Sequence, residues 1–491
     1  MTLLAKLSPA ALLLGLAGCA TVGPDYVPPK IAAPGAYAAQ PAGIGGTSAE
    51  TAWWRQFGDP ALEALIVEAL AANLDARLAV ARLDEARALA GMSRAARLPG
   101  GGVDAGYQRR RLADVERPGG QPREGDSLRA GAEASWEIDL FGRIRRGVEA
   151  AEAEVGGAEA LLRSARAAVT ADVASQYFQL RGSEAALAVG RRQVELQRRS
   201  LDIARKLERA GAGARFDIVR AEARLAAVEA TLPGIEQRIG TARHALAVLL
   251  GQAPQGFAGP APATTSLPQI AQISVGAPAD LLRRRPDIAA AERALAAATA
   301  RRGVAEADLF PTVRLSGFIG LLAGGFESLF SGGALAFSGG PSLDWGVFDM
   351  PRLRAQVRVA DARTDAALID YHRTVLGALR DVEDALVAYG AIRTSLATRD
   401  RQVGASREAA RMASVRFREG EGQYLDVLDA ERGLYEAEAT LIDARMQHLV
   451  SVVDIHRALG GGWEVCETGD GPLCSGGAPG DQRLSGLDRA G

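Results

Sequence analysis

Cysteine is nearly absent, three in 491 residues, and two of the three, Cys466 and Cys474, lie in a Gly-rich tail with no His neighbour at metal-ligand spacing. There are only four histidines, and His244, His372, His448 and His456 stand in no HExxH or nucleophile context; no Gly-rich phosphate loop occurs either. These gaps remove the common metal, nucleophile and nucleotide sites, so the reading is of a chain that is not an enzyme and needs no cofactor. Net charge is also missing: at −2 the chain has neither a nucleic-acid footprint nor an acidic tail, so charge names no partner. Aromatics are few, at 5%, while Ala, Arg, Leu, Glu and Asp fill long stretches without the punctuation that separates domains. No apolar run is long enough for a membrane-spanning helix at the N-terminus, where one would first be sought.

What stands there instead is Lys6 followed by Ala10-Ala11-Leu12-Leu13-Leu14-Gly15-Leu16, the length of a signal-peptide core. It ends in Leu16-Ala17-Gly18-Cys19, which resembles the bacterial lipobox, where cleavage before the Cys leaves a thiol carrying diacylglycerol and an amine carrying a further acyl chain. An ordinary secretory signal with an incidental Cys is the competing reading, and the small residues flanking Cys19 favour the lipobox. Ala20 rather than Asp at the next position favours, by resemblance to lipoprotein sorting, the outer membrane. In that compartment Cys466 and Cys474 can form a disulfide or remain free thiols.

The chain repeats itself. FDIVRAEARL from Phe216 aligns with LDVLDAERGL from Leu425, 209 positions on, and the same offset carries Arg143-Ile144-Arg145 onto Arg352-Leu353-Arg354, Asp172-Val173 onto Asp381-Val382 and Leu250-Gly251 onto Leu459-Gly460. Upstream the offset drifts, to 212 for Gly91 and Pro99 against Gly303 and Pro311, and to 207 for Phe141 against Phe348, as loops of unequal length require. The expected organisation is a signal over 1–18, a lipidated extension over 19–58, repeats over 59–270 and 271–463, and a tail over 464–491.

Within each repeat the hydrophobic period switches. From Pro60 to Ala96 it is helical, with Asp59-Pro60 as cap and first turn. Over Ser127–Phe141 it is two: Leu128, Ala130, Ala132, Ala134, Trp136, Ile138 and Leu140 alternate with polar or small residues. A partner strand is expected near 101–112, and the second repeat offers Val313, Leu315, Gly317, Ile319 and Leu321, then Leu335, Phe337, Leu343, Trp345 and Val347. That predicts four strands. Each pair is followed by a proline-free helical stretch, 143–210 and 352–419, on the order of 100 Å long. Heptads run along both: Val173, Leu180, Leu187, Val194, Leu201 and Val382, Tyr389, Leu396, Val403, Ala410, Phe417. Gly211-Ala212-Gly213 and Gly420-Glu421-Gly422 turn each helix back into a hairpin whose return arm runs to about Gly251 or Gly460.

Strands of about ten alternating residues behind a lipobox fit an outer-membrane β-barrel, but four cannot close one, and eight would fill their own interior. Three chains sharing twelve strands leave a lumen. The runs WWRQFGDPALEALIVEAL (Trp53–Leu70), SWEIDLFGRIRR (Ser135–Arg146), LLRRRPDIAAAERAL (Leu281–Leu295), GVAEADLFP (Gly303–Pro311), YLDVLDAERGLYEAE (Tyr424–Glu438) and ALGGGW (Ala458–Trp463), with TVGPDY after Cys19, resemble the lipoprotein branch of the TolC/OprM family of outer-membrane factors. The resemblance covers nearly the whole chain after the signal. It implies a mainly α fold in which long helical hairpins form a trimeric α-barrel continuous with a shared twelve-stranded transmembrane β-barrel. The function it implies is an exit duct for small molecules and drugs in a tripartite efflux system, working with a periplasmic adaptor and an inner-membrane transporter of the resistance-nodulation-division type. A lipid-anchored periplasmic adaptor or coiled-coil protein is the alternative, but it offers no place for four amphipathic strands.

Asp426 and Asp429, at i and i+3 after the second turn, can share one helix face, and in the TolC-like pattern these positions ring the periplasmic aperture, a field that favours cations. Solvated surface acids are the plainer account. Asp217 is the repeat mate of Asp426, but Arg220 is the mate of Asp429, so only the second hairpin carries the pair. The family's Arg and Tyr latch would fall on Gly422 and Phe417, neither of which can supply it, leaving Arg418, Glu419 and Glu421 as candidates for holding a closed state. Arg283-Arg284-Arg285 reads as a solvated or locally paired structural feature rather than an anion site, and Asp381, Glu383 and Asp384 as helix surface.

Overall fold

The computed structural model describes residues 21–32, 34–42, 44–45, 51–113, 115, 123–261, 267–268, 270 and 272–463, so Cys19, Cys466 and Cys474 lie outside the described residues. The elements, in order, are β1 (Ile44–Gly45), a short 3-10 turn (Trp53–Phe57), α1 (Pro60–Ala72), α2 (Leu74–Ala95), β2 (Gly100–Arg111), β3 (Glu124–Ile138), α3 (Arg143–Arg209), α4 (Arg215–Glu229) and α5 (Leu232–Leu249). Then come β4 (Ile273–Ser274), α6 (Pro278–Arg284), α7 (Pro286–Ala307), β5 (Thr312–Ala323), β6 (Leu335–Asp344), α8 (Met350–Arg418) and α9 (Tyr424–Ala458). The fold is mainly helical, and helix, strand pair, long helix and return helix occur twice in the same order.

Three boundaries differ from the sequence expectation, each for a local reason. The helix expected over 60–96 is two helices, because the buried Asn73 accepts from the N–H groups of Asp75 and Ala76 at 2.9 and 3.1 Å and donates to the Leu249 carbonyl at 2.9 Å, starting a new helix where the old one would continue. The first return arm breaks between α4 and α5, with Pro233 in the first turn of α5, whereas α9, with Ile442 as the mate of Pro233, is continuous. The strand expected to reach Phe141 stops at Ile138, because the Asp139 carboxylate turns to cap α3, accepting from the N–H groups of Ile144 and Arg145 at 3.1 and 2.8 Å.

The chain divides into two compact units. The first takes Met1–Lys30, Arg82–Glu159 and Ala290–Arg373 and holds one antiparallel sheet in the order β2-β3-β5-β6. Its register aligns Val103 with Ala132, Ala132 with Ile319 and Ile319 with Phe337, and puts every residue on that face of the four strands, up to Tyr107, among the apolar residues and glycine. Val103, Ile319 and Phe337 are 87%, 60% and 81% exposed, so this face has no partner among the described residues. The opposite face carries Asp104, Arg129, Glu133, Ser316 and Ser338. Two indoles 209 positions apart tie the strands to the preceding helices: the Nε1–H of Trp136 donates to the Arg97 carbonyl at 3.0 Å and that of Trp345 to the Leu309 carbonyl at 3.1 Å.

The same unit seats residues 21–26 against α3 and α7. The buried Arg146 donates through Nε to the Val22 carbonyl (3.2 Å), through Nη2 to the Gly23 carbonyl (2.9 Å) and Asp25 (2.8 Å), and through Nη1 to Glu149 (2.8 Å). Gly23, at φ 90°, lies so close to α7 that a Cβ would stand 2.5 Å from the Gly303 Cα. Tyr26 completes the seat, donating to Glu292 at 3.0 Å and packing on Ala153, Ala296 and Ala297.

The second unit takes Ile31–Ala81, Ala160–Ala289 and Thr374–Gly491. The short parallel ladder β1–β4, which the sequence did not announce, pairs Ile44 with Ile273. Its core joins Trp53, Trp54, Phe57, Tyr177 and Phe178, with Phe57 and Phe178 rings 4.6 Å apart. The heptad residues Val173, Leu180, Val194 and Leu201 of α3 and Val382, Tyr389, Val403 and Ala410 of α8 are buried, as a coiled-coil seam requires. Arg198–Glu229 (2.9 Å) and Arg205–Glu222 (2.7 Å) lace the first hairpin, and Arg407–Glu438 and Arg445–Asp400 (both 2.9 Å) the second.

Candidate functional site

The hairpin tips turn on glycines in the left-handed region, Gly211 at φ 74° and Gly420 at φ 78°, 209 positions apart. Beyond each turn an aspartate folds back on the helix start: Asp217 accepts from the Ala214 N–H at 3.3 Å and its mate Asp426 from the Gln423 N–H at 3.2 Å. Asp426 is exposed and retains carboxylate capacity beyond this cap. Asp429, one turn on, is 70% exposed at its side chain and lies 3.8 Å from Arg224 of the first hairpin. Arg224 is mostly covered, and burial first and Arg220 second push its pKa down while Asp429 opposes them. The acidic pair therefore has one member engaged in capping and one facing a guanidinium, with both still open to solvent.

The polar links between the hairpins are elsewhere than expected. Phe417 rests its ring 5.2 Å from that of Tyr424, and Gly422 packs closely on Arg416. Arg418 bonds back to the Ser414 carbonyl of its own helix, and Glu419 and Glu421 are exposed. Tyr424 makes the link: its hydroxyl donates to the Ser200 carbonyl of α3 at 2.6 Å, and burial pushes its pKa up to about 12, so it stays a donor throughout the physiological range. The Ser200 hydroxyl in turn donates to Glu431 at 3.3 Å, whose pKa burial raises. Tyr424, Ser200, Glu431 and Arg224 thus join first hairpin to second. The sequence signal for three of them is that the repeats differ there, with Arg215, Ala409 and Gly433 as the mates of Tyr424, Ser200 and Arg224.

Arg285 is locally paired, while Asp381 and Glu383, expected as helix surface, are engaged with other segments. Arg285 is held by Asp287 (2.6 Å), Asp381 (3.3 Å) and the Ala458 carbonyl (2.8 Å), and Glu383 accepts from the N–H groups of Ala38 and Ala39. His448 and His456 are buried, and no group of three or more His, Cys, Asp or Glu suited to a metal occurs among the described residues. No described helix is long and apolar enough to cross a membrane.

Long paired helices joined to amphipathic strands of 10 to 15 residues define a class, the outer-membrane channel component of an export apparatus. The chain belongs to the outer membrane efflux protein family, whose profile it matches twice, over residues 65–252 and 277–461. It is 32% identical over 462 residues to the outer membrane protein OprJ of Pseudomonas aeruginosa (93% of this chain, 96% of that one) and 31% identical over 453 residues to nodulation protein T of Rhizobium leguminosarum bv. trifolii (91% and 95%). Among solved structures, the outer-membrane channel OprN superposes with a TM-score of 0.85 at 40% identity, over 90% of this chain and 99% of that one. The protein is an outer-membrane efflux protein; its relatives are channels rather than enzymes, and the adaptor reading is not favoured.

Proposed function

We propose that three copies of this chain form the exit duct of a tripartite efflux system, carrying small organic molecules from periplasm to exterior. The observation that carries this is the four-stranded sheet, with one face apolar up to Tyr107 and edges β2 and β6 unpaired within the described chain. A sheet in lipid must close, four strands cannot, and twelve leave a bore. Exposed apolar residues on α8, among them Ile369, Leu376 and Val387, supply surface for packing between copies. The two-fold family match supports descent of the chain from a duplicated unit, with the repeats at 59–270 and 271–463. In this reading residues 1–18 are a removed signal, Cys19 carries the lipid on a short extension, and Asp426 and Asp429 ring the periplasmic aperture. A periplasmic adaptor and an inner-membrane pump of the resistance-nodulation-division type complete the system.

Native mass spectrometry of the protein released from outer membranes in detergent tests the reading. The expected particle holds three subunits, each starting at Cys19 and heavier than its polypeptide by the acyl chains, and conducts ions in planar bilayers. A monomer that conducts, or a trimer that never does, overturns it.

A further inference from the structure

The face of the sheet opposite the apolar one holds a cluster built around Arg129. Its Nε lies 2.9 Å from Asp104 Oδ2, its Nη2 3.6 Å from Glu133, and its Cζ 4.2 Å from the centre of the Phe318 ring. Phe318 lies flat because Gly131 and Gly320, cross-strand partners in β3 and β5, have no side chains: a Cβ on Gly131 would stand 2.5 Å from the Phe318 ring and one on Gly320 2.8 Å. One ring face is thus laid on backbone and the other turned to the guanidinium. Asp104 Oδ1 is shielded and has no hydrogen-bond partner among the described residues, so the cluster has acceptor capacity that Arg129 leaves unused.

An aromatic face flanked by carboxylates is how proteins recognise organic ammonium groups, since the ring quadrupole and the acids attract a cation whose hydration is weak. Here the chain's own guanidinium fills that position, on a flexible stem with its side chain 44% exposed, and the two carboxylates outnumber it. We propose that Asp104, Glu133 and Phe318 form an organic-cation site in the wall of the outer-membrane pore, occupied in cis by Arg129 until a passing ammonium or amidinium compound displaces it. The inference rests on the shared-barrel reading, which makes this face the lumenal one.

The test is block of trimeric channels in planar bilayers by benzyltrimethylammonium added from the side of the β2–β3 loop. Arg129→Ala vacates the ring, and the half-blocking concentration is expected to fall about fivefold, the scale of one cation–π contact. Adding Phe318→Leu, which keeps the apolar bulk and removes the π face, should restore the weak block. Arg129→Gln gives the same comparison should the alanine variant fail to insert. Block no tighter without Arg129, or equally tight without the Phe318 ring, overturns the site; absence of channels from the unaltered protein sinks the shared-barrel reading instead.

Discussion

Every nitrogen of the Arg146 guanidinium has an acceptor, and three of its four bonds hold the segment 22–25. Arg146→Ala strands the Val22 and Gly23 carbonyls and unpairs Glu149 and Asp25, a loss of about 1–2 kcal/mol, since the two carboxylates stay open to solvent. Trypsin should then cut at the exposed Lys30 faster than in the unaltered protein, with the released N-terminal peptide followed by mass spectrometry. His456 gives a second residue-level expectation. It is stacked on Trp53 at 5.0 Å and paired with Gln56 at 2.7 Å, and burial, with Arg284 adding repulsion, pushes its pKa down to about 3. The fold keeps this imidazole neutral while the unfolded chain protonates it near pH 6.5. Its contribution is therefore intact above that pH and is lost as pH falls toward the depressed value, by up to about 1.4 kcal/mol per pH unit. His448 is shifted in the same direction, also first by burial. Melting temperature should decline from pH 6.5 to pH 4, and His456→Gln should make the decline shallower.

Between elements, the contacts that matter run from hairpin to hairpin. Removing the Tyr424 hydroxyl with Tyr424→Phe deletes its bond to Ser200 and keeps the ring against Phe417. At about 1 kcal/mol for one such bond, the balance between closed and open tips should shift about fivefold toward open, read as open probability in bilayers. Gly422→Ala and Phe417→Ala remove no polar link and should cause no comparable rise. The contrast also measures how much was legible beforehand. Period-two strands, heptad seams and a 209-residue offset are signals summed over many residues, and they located the sheet and both hairpins to within a few positions. Asn73, Pro233 and Asp139 each redirect the chain through a single side chain or ring, and the β1–β4 ladder pairs segments more than two hundred residues apart; periodicity registers neither kind of event. The links between the hairpins were hidden for another reason: they run through Tyr424, Ser200, Glu431 and Arg224, single side chains that no hydrophobic period marks.

At the scale of the whole molecule, the aperture role proposed for Asp426 and Asp429 depends on copies standing round an axis. In the proposed trimer, repetition would turn Asp426 and Asp429 into a ring whose charges attract cations and repel each other, with Arg224 beside Asp429 limiting the field. In Asp426→Asn with Asp429→Asn, cation selectivity should fall and block by periplasmic trivalent cations should weaken; unchanged values would move the aperture elsewhere on the hairpin. The open edges of β2 and β6 reach further, into genetics. If each copy lends both edges to its neighbours, one chain with a spoiled edge leaves the wall of the whole assembly unclosed. Where defective and sound chains are made in equal amounts and mix freely, about one assembly in eight is wholly sound. A lesion confined to β6 would therefore behave as a dominant trait, while loss of the entire gene copy would be recessive.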